Sequence, residues 1–429
     1  MSLIFLGKGT YGCVVTPGIA KNNEIDEDPN TVSKLFINER DFSDELKNYD
    51  KLVDFIKINQ TYDGIYDDEN VKIAINKYTT KLLNFSTLKK KDIKKLINPN
   101  ILFNCKHLHN DDIDIIYQIE YINGGISLRD LFKPQNFEFR KSINLLTFFT
   151  TFFNVIKFLD LLSQNKHLHA DIKLDNILFD IHNENDNETY FIRVIDFGLL
   201  QPHDTIYTYE YMSFLKSGVL YPPEYIFTAN FFINPQITDV KYEYFFFMES
   251  FKIKLNNIKV NPKINPKIKR AFSDFYKEFK SEFIATNESF QQLYQLFSQS
   301  KFTNLTIFTP DDNSGEDSYE DSDENYHESN IVLNNFINGV CDYIPSKVHI
   351  DIKDKIDVFM FGSAFLNLLL EIFDSNIDFS FFNNDRNYIF IKKMLNLIFK
   401  MVKPNPCERI TIAEAYYNYN SIISGFSSF

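Results

Sequence analysis

The stretch His169-Ala170-Asp171-Ile172-Lys173-Leu174-Asp175-Asn176 decides how this chain is read, together with Asp196-Phe197-Gly198, which begins twenty positions after Asn176. Asp171 supplies a carboxylate, Lys173 a cation two positions on, and Asn176 and Asp196 two hard oxygen donors. Moving a phosphoryl group onto a hydroxyl needs those groups: a carboxylate at the incoming oxygen, positive charge on the phosphate, and oxygen ligands for magnesium. The flanking pattern puts them on suitable elements. Val155 to Leu162 is an apolar run that reads as helix, while Ile177-Leu178-Phe179 and Arg193-Val194-Ile195 read as short strands flanking a turn.

Upstream, Gly7-Lys8-Gly9-Thr10-Tyr11-Gly12 is followed by Cys13-Val14 and lies between the short apolar runs Ile4-Phe5-Leu6 and Val14-Val15. Dinucleotide-binding folds use the same glycine spacing, but there it opens a helix. Here Val14-Val15-Thr16-Pro17 continues as strand and stops at a proline. Glycines in such a loop let backbone amides approach phosphate oxygens with no Cβ in the way.

These motifs resemble those of eukaryotic-type serine/threonine protein kinases, whose catalytic loop reads His-Arg-Asp-Leu-x-x-x-Asn and whose magnesium loop reads Asp-Phe-Gly. The chain departs from that pattern at Ala170 and, conservatively, at Ile172. The resemblance implies an α+β, bilobal fold, with a small β-rich lobe over residues 1–122 and a larger helical lobe over 123–429. It implies ATP and Mg2+ as cofactors and protein substrates with Ser/Thr acceptors. Asp171 would position the hydroxyl and receive its proton, Lys173 and Lys34 would neutralise phosphate charge, and Asn176 and Asp196 would ligate magnesium. Lys34 would be held by a glutamate on the following helix, for which Glu45 is the first choice. Glu39 is the second, being only five positions from Lys34. Around the nucleotide, the loop from Gly7 to Gly12 would cover the phosphates, and Leu6, Val14 and Leu178 would line the adenine pocket. Val32 stands where the family has alanine, which should tighten that pocket.

In Gln118-Ile119-Glu120-Tyr121-Ile122-Asn123-Gly124-Gly125, resembling the family hinge, Glu120 would offer its carbonyl and Ile122 its amide to the adenine edge, with Ile119 at the gatekeeper position. Further along, Pro222-Pro223-Glu224 resembles the end of the activation segment, Ser217 falls where serine/threonine kinases bond the catalytic aspartate, and Arg409 would pair with Glu224. Asp357 would anchor the backbone of the catalytic loop. With alanine at 170, the segment from Leu199 to Tyr221 is expected to work without phosphorylation of Thr205, Thr208 or Ser213.

Composition bounds the rest. The chain has 429 residues, 44% hydrophobic, with 45 Phe, 24 Tyr and no Trp, enough for a large core or two coupled ones. This usage, rich in Asn, Ile and Lys, together with large insertions, resembles kinases encoded by large DNA viruses. A net charge of -13 argues against nucleic acid or an acidic membrane as partner, although nine carboxylates lie between Asp311 and Glu328 alone. That acidic tract, 311–328, is expected to be disordered. Cysteines 13, 105, 341 and 407 form no close pair and no metal spacing, so free thiols in a reducing compartment are expected. His167 and His169 are two apart, yet no third ligand stands at a fitting spacing. Met1 to Leu6 is too short for a signal peptide, and the most apolar stretch, Phe359 to Phe373, is broken by Asn367 and Glu371, so a soluble, cytoplasmic protein is expected, in a host cell or virion if viral.

Two insertions interrupt the pattern. Residues 57–97 are polar and lysine-rich around Leu88-Lys89-Lys90-Lys91, read as a solvated helix face, and strands are expected around Ile101 to Phe103 and Ile115 to Tyr121. Glu224 and Asp357 stand 133 positions apart, marking an insertion over about 226–350 with helical patterns at Val240 to Leu255, Ile268 to Phe283 and Glu288 to Phe297. Two alternatives compete with a protein kinase. One is a pseudokinase scaffold that binds partners through this insertion, and the other a small-molecule kinase of related fold.

Overall fold

A computed structural model describes residues 3–8, 12–20, 24–60, 68–96, 101, 104–105, 113–184, 187–203, 240–299, 355–375, 385–406 and 408–427. The fold is mixed α+β, an antiparallel N-terminal sheet followed by a helical C-terminal part. In chain order the strands are β1 (Ile4–Lys8), β2 (Gly12–Thr16), β3 (Thr31–Phe36), β4 (Leu82–Lys89), β5 (Ile115–Ile122), β6 (Ile126–Ser127), β7 (His167–Leu168), β8 (Ile177–Glu184), β9 (Asn187–Val194) and β10 (Gln201–Pro202). The helices are α1 (Glu39–Gln60), α2 (Asp68–Tyr78), α3 (Lys90–Leu96), α4 (Leu128–Leu131), α5 (Phe137–Lys141), α6 (Leu145–Gln164), α7 (Val240–Val260), α8 (Pro266–Gln299), α9 (Ile356–Asp374), α10 (Asp385–Met401) and α11 (Ile412–Ser427).

The chain divides into two compact units, Met1–Asp130 with Asp175–Leu200, and Leu131–Leu174 with Gln201–Phe429. The β8–β9 hairpin, assigned by sequence to the larger lobe, thus groups with the first unit.

The first unit carries a five-stranded sheet in the order β1-β2-β3-β5-β4, each neighbouring pair antiparallel. β2 ends at Thr16, before Pro17, as the run of β-branched residues indicates. Gly12 is required by the sheet itself, since a Cβ there would collide with the Leu35 carbonyl on β3. The fourth strand is a correction. The expected strand at Ile101 to Phe103 is absent at Ile101, which is helical, and the sheet is completed by β4, inside the stretch read as an insertion. The alternation Leu83, Phe85 against Leu82, Asn84 is weak because β4 is an edge strand, with Phe85 left 55% exposed. The lysine run is not one helix face either: Lys89 closes β4, Lys90 opens α3, and Lys90 is buried.

Cys13 and Cys105 are joined as a disulfide inside an apolar cluster that includes Leu3, Val15, Leu35 and Ile116. This corrects the expectation of free thiols at both positions. The partners are 92 positions apart, so tertiary folding alone brings them together, and no sequence spacing announces the pair.

Asn38 immediately precedes α1, its Oδ1 accepting the Arg40 N–H at 2.8 Å, and the helix has Glu39 and Asp41 in its first turn and Lys57 in its last, matching the helix dipole. Its buried stripe is Glu45, Asn48, Tyr49, Leu52 and Ile56, a helical spacing in which the first two members are polar.

The second unit is built on phenylalanine. Asn144 caps α6 by accepting the Thr147 N–H at 3.1 Å, and α6 buries Phe148, Phe149, Phe152 and Phe153. Phe152 meets Phe365 and Phe361 of α9 with centroids 5.0 and 5.4 Å apart, and the Tyr419 hydroxyl of α11 donates to the Phe149 carbonyl at 2.9 Å. α9 crosses α10 closely at Gly362, where a Cβ would press on Met401 and Val402. α11 opens on a capping box: Glu414 N–H donates to Thr411 Oγ1 at 3.2 Å, and Thr411 N–H to Glu414 Oε2 at 2.7 Å. α6 and α9 are long and apolar enough to cross a membrane, but 61% and 89% of their most apolar windows are buried inside the fold.

The described part of the long insertion packs into this unit. The two helical patterns at Ile268 to Phe283 and Glu288 to Phe297 form a single helix, α8, begun by Asn265 and Pro266. Phe272 stacks edge-on against Phe373 at 5.2 Å, Phe275 against Phe399 at 5.6 Å, and Lys254 of α7 pairs with Glu371 at 2.6 Å. Large apolar side chains on both α8 and the body hold it there. The acidic tract 311–328 and the motif around Glu224 lie outside the described residues.

Candidate functional site

In the first unit, Lys34 on β3 projects between two carboxylates. Its Nζ lies 3.0 Å from Glu45 Oε1 on α1 and 3.0 Å from Asp196 Oδ1, just beyond β9. Glu39, the second choice as partner, instead accepts the Tyr117 hydroxyl at 3.1 Å. Burial alone would depress the Lys34 ammonium, but Asp196 and then Glu45 outweigh it and hold the pKa above its ordinary value. Burial pushes Glu45 upward; Lys34 opposes that shift and Asp196 adds to it. Side-chain exposure grades across the trio, 5% for Glu45, 13% for Lys34 and 30% for Asp196, so the aspartate faces solvent most.

Asn176 is tied to the same end of the β8–β9 hairpin. Its carbonyl accepts the Ile195 N–H at 3.0 Å, and Ile177 pairs with Val194. Asp196 then turns with φ 66, a left-handed conformation uncommon outside glycine. A short 3-10 turn, Phe197–Leu199, follows. The donor chemistry of Asn176 and Asp196, one amide oxygen and one carboxylate, fits magnesium, which binds through one or two carboxylates and otherwise keeps water and phosphate oxygens. Among the described residues no group of three or more His, Cys, Asp or Glu is arranged to hold a metal. His167 Nδ1 lies 2.7 Å from the Asn165 carbonyl.

The expected hinge needs correction. The Ile122 amide, assigned to the adenine edge, donates to the Lys81 carbonyl at 2.9 Å, because β5 continues as sheet through Ile122. Glu120 is likewise within the ladder, opposite Ser33 and Asn84. Ile119 is fully buried opposite Lys34, and it is Tyr121, opposite Val32, whose hydroxyl reaches Glu45 Oε1 at 3.4 Å. The turn follows at Gly124 and Gly125. Gly125 has φ 98, and a Cβ there would meet the Phe179 carbonyl. Gly124 lies against Leu178 of β8, which brings one expected adenine contact to the end of β5. Leu6 is 44% exposed on β1, Val14 is half-buried opposite Lys34, and Lys8 pairs with Cys13. Gly9, Thr10 and Tyr11 lie outside the described residues.

Asp171 and Lys173 belong to the second unit. Lys173 Nζ lies 2.7 Å from Asp171 Oδ2, and the Asp171 N–H donates to His169 Nδ1 at 3.3 Å. Asp357, near the start of α9, accepts the N–H groups of His169 at 2.7 Å and Ala170 at 2.9 Å. These bonds fix Ala170 in the left-handed region, φ 60. Burial raises the Asp357 pKa to about 6 against the lowering effect of the two amides. Arg409 is buried, donating to the carbonyls of Lys403, Lys355 and Pro404 at 2.9, 3.1 and 3.3 Å over the Phe359 ring; its expected partner Glu224, with Ser217, lies outside the described residues.

Sequence reasoning missed three residues around these groups: Tyr121 beside Glu45, Asn48 on the Phe197 carbonyl, and Arg193, whose Nε donates to the Asn76 carbonyl at 2.8 Å. Only Asn48 carried a signal, a polar residue at the spacing of a buried helical face. The chain gives no match when compared with protein-family models or with curated proteins.

Proposed function

We propose that the chain is a bilobal, ATP- and magnesium-dependent protein kinase that phosphorylates Ser/Thr hydroxyls of protein substrates. The observation that carries this reading is Lys34 held at 3.0 Å by both Glu45 and Asp196, three residues drawn from β3, α1 and the end of β9. A lysine so held is fixed as a cation, suited to the α- and β-phosphates of a nucleotide. Asp171, kept in hydrogen-bonding reach of Lys173, receives the proton of the acceptor hydroxyl, and Lys173 offsets charge developing on the transferred phosphoryl oxygens. Asn176 and Asp196 would hold magnesium, which when bound neutralises phosphate charge. The bond formed is from the acceptor oxygen to the γ-phosphorus, and the bond broken is to the β–γ bridging oxygen of ATP.

The test is ATP turnover with a panel of Ser/Thr peptides and proteins beside an Asp171→Asn variant. Turnover by the parent and its loss in the variant support the reading. Nucleotide binding without turnover favours a scaffold, and transfer to small molecules alone favours the related small-molecule kinases.

A further inference from the structure

Asn48 belongs to none of the sequence motifs, yet it stands on the buried face of α1 three positions after Glu45. Its Nδ2 donates to the Phe197 carbonyl oxygen at 2.8 Å, across 149 positions of sequence. The same oxygen accepts the Leu200 N–H at 3.0 Å, which closes the 3-10 turn after Asp196. α1 therefore grips the far side of the Lys34 site twice, through Glu45 to Lys34 and through Asn48 to the residue following Asp196. Asp196 needs such a grip. Its φ of 66 is a conformation a non-glycine side chain keeps only when its neighbours over-determine it.

We infer that Asn48 is a positioning residue for Asp196: its amide clasps the Asp196-Phe197-Gly198 turn to α1, so the Lys34–Glu45 pair and the candidate magnesium ligand hold one geometry together. The clasp is a statement about the fold of the first unit. Its consequence for nucleotide rests on the proposed function. A leucine at 48 keeps volume and removes the donor, and a serine is too short to reach the carbonyl.

Hydrogen exchange and nucleotide binding on the full chain test this. In Asn48→Leu, exchange at the amides of Gly198 to Leu200 should accelerate by about tenfold or more while the β3 and β5 amides of Lys34 and Ile119 keep their rates. The dissociation constant of magnesium–ATP should rise by about fivefold or more, and that of metal-free ATP should stay within about twofold, because Asp196 is the group displaced. Unchanged exchange at 198–200, or an equal acceleration across the whole sheet, would overturn the clasp. A metal-free affinity that falls as far as the magnesium-dependent one would overturn the assignment to Asp196. If Asn48→Leu does not fold, Asn48→Ser is read by the same criteria. A parent protein that binds no nucleotide would defeat the kinase reading, while the exchange rates would still decide the clasp.

Discussion

Lys34 and Asp196, 162 positions apart, meet at 3.0 Å, and Glu45 completes the contact from the other side at the same distance. One ammonium thus holds together two carboxylates that would otherwise repel each other in a largely buried place.

Lys34→Met should therefore destabilise the protein by about 2–4 kcal/mol at neutral pH, somewhat less than a fully buried pair because Asp196 is partly exposed. Glu45, already displaced upward by burial, takes up a proton more readily once the lysine is gone. Folded-state binding of that proton makes the variant relatively more stable as pH falls. Denaturant titrations at pH 7.5 and 5.5 should show a smaller cost at the lower pH, and an equal cost would contradict the trio as described.

On the proposed function, Asp171→Asn should cut phosphoryl transfer by orders of magnitude with nucleotide affinity changed only a few-fold, since its charge would act in the transition state rather than in nucleotide binding. Near-parental turnover would sink the proposed function.

Asp357 should leave a signature in the pH dependence of stability. Its folded pKa of about 6 lies above the ordinary 3.8, so between those values the folded protein binds more protons than the unfolded chain. The stability it contributes is present below the unfolded value and is lost as pH rises through about 6. The stability difference between the parent and Asp357→Asn should fall by on the order of 1 kcal/mol per pH unit across that window, then level off. A difference rising with pH would contradict a buried, desolvated carboxyl.

Lys166, the residue after the C-cap Asn165 of α6, lies in the left-handed region, φ 57, where a glycine is the usual residue after a helix. Lys166→Gly should raise stability by about 0.5–1 kcal/mol, measured by thermal unfolding, because it relieves the Cβ conflict. A loss would mean that contacts of the lysine side chain outweigh the backbone strain.

The residue types of the candidate site were legible from local sequence, as were the strands that carry Lys34 and Val14. Glycines followed by a proline-stopped run required β1 and β2 rather than a strand and helix, and local spacing marked Glu45 above Glu39. The apolar run from Val155 to Leu162, a local pattern, made α6 legible. Whatever depends on distant partners was not legible there. The β4 strand is an edge strand with little alternation, so its place in the sheet comes from pairing with β5. The Ile122 amide was assigned from a motif, but the Lys81 carbonyl just before β4 claims it, since a backbone donor goes to whichever carbonyl the fold brings near. The Cys13–Cys105 bond and the Asn48 clasp likewise join segments 92 and 149 positions apart. No short-range pattern encodes such pairings, because they form only once the folded sheet and its flanking elements bring distant segments together.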